Sequence, residues 1–149
     1  KAYHPWRDPG DNSPIPYLKA KVEVDGKILN LFAVHLLSPM NELRTKLRNK
    51  QLNYIRDRMK EENGTTMVMG DLNITLWSPI FQDFIKQTQL RVLKGSLVHQ
   101  PTWPTNFFPF LIPIDYFIAS RDILVHGLTT GPDIGSDHYP LVVDFSIGH

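Results

Sequence analysis

The chain has 149 residues, 42% of them hydrophobic and 21% charged, and a formal net charge of +1. This balance suits one ordinary globular core, excludes a disordered chain, and gives no large field for drawing in nucleic acid. There is no cysteine, which excludes disulfides, thiolate metal sites and cysteine nucleophiles, and no apolar run reaches the ~20 residues of a membrane span.

The elements alternate without repeats. Pro5, Pro9, Gly10, Pro14 and Pro16 predict a loop or arm over residues 1–18 of a single domain covering 1–149. Lys19 to Val24 alternates with period two, and Asp25-Gly26 signals a hairpin into a second strand, Ile28 to Val34. Ser38-Pro39 predicts the start of a helix with Ser as cap, carrying Leu43, Leu47, Ile55 and Met59 on one face and stopping at Asn63-Gly64. Its basic residues, Arg48 among them, alternate with acids and read as a solvated face. Thr65 to Gly70 predicts a buried strand, and Ser78-Pro79 caps a second helix with Phe81, Phe84 and Ile85 inward. Short strands follow near 90–93, 114–120, 123–128 and 141–146. Hairpins mixed with helices predict an α/β (α+β) fold with a mixed or antiparallel sheet covered by helices.

Three of these strands bring polar residues to an end. Gly70-Asp71-Leu72-Asn73 closes one, Asp115 opens Ile114-Asp115-Tyr116-Phe117, and Ser136-Asp137-His138 precedes the last. Each has an ordinary reading. Asp, Asn and Gly dominate turns, and His35, ending an apolar strand, reads by itself as a satisfied core histidine. Asp115 is harder to explain away, because a carboxylate in an apolar strand needs a partner. His138 is the natural one. Taken together, three strand ends carrying Asp, Asn and His point to one site. A zinc hydrolase built on the histidines is disfavoured, since no His-x₃-His cluster occurs.

In this order the motifs resemble the endonuclease/exonuclease/phosphatase family, whose pattern is a strand-ending His, Gly-Asp-x-Asn, a Thr-Trp loop, Asp-Tyr/His and a final Ser-Asp-His. Here these are His35, Gly70-Asp71-Leu72-Asn73, Thr102-Trp103, Asp115-Tyr116 and Ser136-Asp137-His138. The resemblance implies half of a four-layer α/β/β/α sandwich and a hydrolase of phosphodiester or phosphomonoester bonds. Its divalent cation would be Mg²⁺ or Mn²⁺, suited to an oxygen-rich site. It implies that Asp71 orients or deprotonates the attacking water and Asn73 helps position it. His138, buttressed by Asp115, stabilises the phosphate, and His35 serves the leaving group or a phosphate oxygen. Asp137 binds metal, while Thr102 and Trp103 shape the substrate side. The substrate class stays open among nucleic acid, a phospholipid head group and a small phosphodiester.

The family also uses an early Asn and a metal-binding Glu upstream of the His strand, and only Lys1 to Leu18 precede the first strand pattern here. The expectation is therefore the C-terminal part of a larger domain, processed or truncated and inactive alone. The alternative is a non-catalytic half-domain that binds or oligomerises through the surface of the missing half. The apolar segment Asn106 to Leu111 either packs under that half or meets lipid or an apolar substrate. Relatives with Trp-Ser-Pro after Gly-Asp-x-Asn, here Trp77-Ser78-Pro79, often carry N-terminal membrane segments, so the resemblance is compatible with a soluble domain tethered to a membrane outside the cytoplasm, and the compartment stays open.

Overall fold

The computed structural model describes residues 2–6, 15–95, 100–107 and 109–148, with side chains from Tyr17 onward. Its main sheet has six strands: β1 (Ala2–Trp6), β2 (Ile15–Val24), β3 (Lys27–His35), β4 (Thr66–Asp71), β5 (Arg91–Val92) and β6 (Asp115–Ala119). They lie in the order β1-β2-β3-β4-β6-β5. β3 and β4 run parallel, and every other neighbouring pair is antiparallel. Parallel neighbours require a crossover, and α1 (Glu42–Met59) supplies it. A second helix, α2 (Pro79–Thr88), follows β4. β7 (Ile123–Thr130) and β8 (Leu141–Ile147) pair as a separate two-stranded sheet.

Alternation along the strands divides the core in two. Phe32, Val34, Val68, Tyr116 and Ile118 face the helices and pack with Leu52, Ile55, Phe81 and Phe84. Leu29, Met67 and Ala119, on the opposite face, pack with Ile123 and Ile147 from the β7–β8 sheet. Each fully buried phenylalanine on the helix side stabilises by ~1.5–3 kcal/mol. The protein is thus layered as helices, mixed sheet and a separate two-stranded sheet. Farther from that small sheet, Leu18 and Val22 on β2 remain 39% and 37% exposed. Phe32 is fully buried on the helix side of the sheet. Among the described residues no helix is long and apolar enough to cross a membrane.

Several local expectations need correction. The predicted loop over 1–18 contains β1 and the start of β2. Pro5 and Pro16 pair across these strands; β1 is an edge strand, and β2 meets β3 only from Tyr17, so neither proline removes a bond from the sheet interior. Residues 7–14 of that segment lie outside the described residues. α1 starts three residues later than the expected Ser38 cap and Pro39 start, because the Asn41 carboxamide accepts from Arg44 N at 2.9 Å and caps it. Ser38 gives its carbonyl to Arg44 Nε instead. The helix ends at Met59, before Asn63-Gly64, and Leu43 is exposed while Leu47, Ile55 and Met59 are buried. α2 begins at Pro79 as expected, but the Ser78 side chain makes no cap hydrogen bond; its carbonyl accepts from Phe81 and Gln82 N–H.

Candidate active site

Register brings the strand-end residues together. His35 pairs with Asp71 across β3 and β4, and Asp71 pairs with Asp115 across β4 and β6. Three polar residues therefore stand in one row on the sheet face that carries β7 and β8. β3 and β4 approach closely enough here that a Cβ on Gly70 (φ +122°) would sit 2.0 Å from the Val34 carbonyl oxygen. Only glycine permits this register. His138, on the loop before β8, completes the group. Its Nδ1 lies 2.8 Å from Asp115 Oδ2 and its Nε2 4.0 Å from Asp71 Oδ2. The imidazole thus bridges two carboxylates that face each other across the strands, a pairing that repels when nothing intervenes.

Asp71 is held by its own turn. Asn73, in left-handed backbone at φ 48°, donates its N–H to Asp71 Oδ1 at 2.7 Å and its Nδ2 to Oδ2 at 2.8 Å. Asn73 Nδ2 also reaches the Leu36 carbonyl at 2.9 Å, tying the turn after β4 to the end of β3. His35 is 77% exposed at its side chain, with Nε2 3.5 Å from Asp71 Oδ2, so it is no core histidine. Burial, reinforced by the charge of Asp115, holds the Asp71 carboxyl above its ordinary value; the Asn73 N–H, His35 and His138 oppose that shift.

Two loops wall the group. Trp103 leads the one closed by an antiparallel bridge to Ile112, and its ring lies 6.3 Å from the His138 ring centre. Thr102, expected on the substrate side, is fully buried and donates its hydroxyl to Asp115 Oδ2 at 2.6 Å. It supports that carboxylate from behind and is no wall of the cavity. Thr105 N donates to the Asp137 carbonyl at 3.0 Å and Tyr139 N to the Thr102 carbonyl at 2.9 Å, which binds the Trp103 loop to the His138 loop. Beyond the wall, Phe107 and Phe110 are 60% and 64% exposed and stack on each other at 5.1 Å. Phe108 lies outside the described residues.

The result is a cavity of about 890 Å³ lined by His35, Asp71, Asn73, Trp103, Asp115, Asp137 and His138, together with Arg48, Ser78 and Thr75. Asp71, Asp115 and His138 offer ligand atoms that all lie within 4.8 Å of one another. Asp137 lines the same cavity but is not one of these three. Hard carboxylate oxygens with one imidazole and no thiolate form a donor set that suits Mg²⁺ or Mn²⁺. Sequence reasoning missed Arg48 and Gln51. Arg48 is buried at 6% exposure, not solvated. Gln51 Oε1 accepts from Leu37 N at 2.8 Å, anchoring the chain just beyond His35. The available signal was spacing, since Arg48, Gln51 and Ile55 recur on one helical face.

Solved structures share this arrangement of strands and helices. An endonuclease/exonuclease/phosphatase from Beutenbergia cavernae superposes with a TM-score of 0.79 at 21% identity, over 99% of this chain and 44% of that one. A conserved protein of unknown function from Enterococcus faecalis gives 0.75 at 18% identity, over 97% and 61%. A mannosyl-6-phosphatase from Bacteroides thetaiotaomicron gives 0.73 at 18% identity, over 90% and 58%. The chain spans less than two thirds of the length of each. No curated protein is matched by its sequence. At these identities the likeness speaks for the fold alone, but the sequence profile of the endonuclease/exonuclease/phosphatase family matches residues 2–138. With the ordered motifs, the shared fold and a profile match over most of its length, the chain belongs to the endonuclease/exonuclease/phosphatase family.

Proposed function

We propose that the chain is the C-terminal part of a divalent-metal-dependent phosphoesterase domain, with the phosphate held in the cavity at Asp71, Asp115 and His138. One observation carries this reading. His35, Asp71 and Asp115 stand in a row across three strands, and His138 closes on the two carboxylates from a separate loop. A structural polar cluster would bury such groups, whereas this one opens into a large cavity.

The roles follow from position. Asp71, with both oxygens steered by Asn73, orients a water and takes its proton; a raised carboxyl pKa makes it a better base. Asn73 keeps that water and the Asp71 oxygens in register. His138, fixed by Asp115 and by Thr102 behind it, directs Nε2 toward charge that develops on the phosphoryl oxygens. His35, the exposed end of the row, donates to the leaving oxygen or to a phosphate oxygen. Asp137, with the carboxylates of Asp71 and Asp115, would hold Mg²⁺ or Mn²⁺. When bound, that ion neutralises the facing carboxylates and polarises the phosphoryl group.

The substrate is a phosphoester, either a nucleic acid, a phospholipid head group or a small phosphodiester. Because the chain covers only 44–61% of these related structures, turnover is assigned to the longer domain and not to these 149 residues alone. The test compares this chain with a longer chain that includes the upstream portion, on an aryl phosphodiester with Mg²⁺ or Mn²⁺ and with EDTA. Turnover by the longer chain, abolished by EDTA and nearly absent from the short one, is expected. Robust turnover by the short chain would mean that the metal site is misassigned. An inactive longer chain would favour the binding or oligomerisation module, with Leu18 and Val22 on the face it uses.

A further inference from the structure

Arg48 is the one charged side chain among the described residues that is buried. It sits on α1, whose other charged residues all reach solvent. Its Nε donates to Asn49 Oδ1 at 2.9 Å and its Nη1 to the Asn73 carbonyl. Among the described residues no carboxylate lies within ion-pair distance of it. Burial pulls its pKa down from the ordinary arginine value, and no neighbouring charge offsets this.

A guanidinium carries five N–H donors in a planar fork, and two are used here. Arg48 lines the cavity that Asp71, Asn73 and His138 also line. A buried charge without a counter-charge is unfavourable unless something supplies one. Asp115 is engaged with His138 and Thr102, and Asp71 with Asn73, while Asp137, the third carboxylate of the cavity, makes no ion pair with Arg48. An anion that enters the cavity would supply a counter-charge to this guanidinium.

We propose that Arg48 forms an oxyanion subsite, binding a tetrahedral phosphoryl group through its free fork while its tie to the Asn73 carbonyl sets the turn that holds Asp71. The proposal rests on the phosphoester reading of the same cavity and adds to it a binding residue on α1. Arg48 thereby makes bound phosphate and the geometry of the Asp71–Asn73 turn depend on each other. An Arg fork is suited to this because it meets two phosphate oxygens at once, which a lysine does not.

The test is an NMR titration of this chain with inorganic phosphate and, separately, with dimethyl phosphate as a diester. The Arg48 Nε–Hε and His138 ring signals are followed in wild type, Arg48→Lys and Arg48→Gln. Both signals should shift together, and Arg48→Gln should weaken binding by about tenfold or more, as expected for a lost charge-assisted hydrogen bond. Arg48→Lys should fall between. A response to inorganic phosphate but not to the diester would support a subsite for a terminal phosphate. If His138 responds in Arg48→Gln with the wild-type midpoint, Arg48 is only a structural tie; the subsite is overturned while the phosphoester reading stands. If neither signal responds to either anion, the subsite is overturned; the phosphoester reading falls only if the longer chain with Mg²⁺ also fails to turn over the aryl phosphodiester. Should Arg48→Gln not fold, the wild-type Nε–Hε signal decides alone: no movement while His138 shifts overturns the subsite.

Discussion

The two ends of the β4–β6 strand pair are both polar, yet they are built oppositely. At one end Ser120 Oγ accepts from Thr66 N at 2.7 Å and donates to the Thr66 carbonyl at 3.1 Å, while the Thr65 hydroxyl donates to Asp122. The Asn30 carboxamide there reaches the carbonyls of Asn63 and Thr65. These side chains satisfy backbone groups where the strands stop, and hydrogen bonds of this kind stabilise by roughly 1 kcal/mol each. At the other end the same strands place Asp71 directly opposite Asp115, beside a cavity of about 890 Å³. Like charges placed opposite each other work against the fold. One end ties its polar groups mainly to the backbone where the sheet closes, and the other gathers two carboxylates and an imidazole at a cavity. That contrast is what distinguishes a site from a polar edge.

Substitutions at the two ends should therefore separate activity from stability. The largest effect is expected from Asp71→Asn in the longer chain, which should lose at least about 10³-fold in turnover of an aryl phosphodiester. Its stability should move the other way at neutral pH. The Asp71 carboxyl has a raised pKa in the folded protein, so the fold binds that proton more tightly than the unfolded chain. The resulting stabilisation is fully present at acid pH and is lost as pH rises from the ordinary carboxylate range through the folded value. Melting temperatures measured across that range should fall with rising pH more in wild type than in Asp71→Asn. Equal slopes would show that ionised Asp71 carries no cost.

Gly70→Ala comes next and should harm both ends, since its Cβ would meet the Val34 carbonyl and its backbone is left-handed. A loss of about 3 kcal/mol or more in denaturant unfolding is expected. Ser120→Ala should cost about 1–3 kcal/mol by leaving the Thr66 N–H unpartnered, with turnover of the longer chain unchanged. A drop in turnover equal to that of a site variant would erase the contrast between the ends. Smallest is Thr102→Val, which removes one donor to Asp115 and should reduce turnover only several-fold, with a stability change near 1 kcal/mol.

The sequence made the row of site residues legible because strand ends are short-range features. A Gly-Asp-x-Asn turn and an Asp inside an apolar strand each announce themselves locally. The 2.8 Å contact between Asp115 and His138 was readable for the same reason, since a carboxylate in an apolar strand demands a partner. Arg48 was not readable as a residue of the cavity wall. Among alternating acids and bases it looks solvated, and only tertiary packing of α1 against the turn after β4 buries it. Thr102, expected with Trp103 on the substrate side, turns inward to Asp115, and a Thr-Trp pair gives no sign in sequence of which side chain does so. The start of α1 was misjudged because Ser38-Pro39 and Asn41 are both competent caps, and the choice between them lies in the path of the chain leaving β3. β1 was missed because prolines mark loops in sequence but are harmless on an edge strand.

The central claim is that the row of strand ends and the loop histidine act as one phosphoester site. His138→Ala in the longer chain, assayed on an aryl phosphodiester with Mg²⁺ beside its melting curve, tests it most directly. The account predicts a fall of about 10²–10⁴-fold in turnover in a protein that still unfolds cooperatively, with a melting temperature lowered only by the loss of the Asp115 partner, since His138 lies on a loop and its side chain is 25% exposed. Wild-type turnover in a folded His138→Ala protein would contradict it.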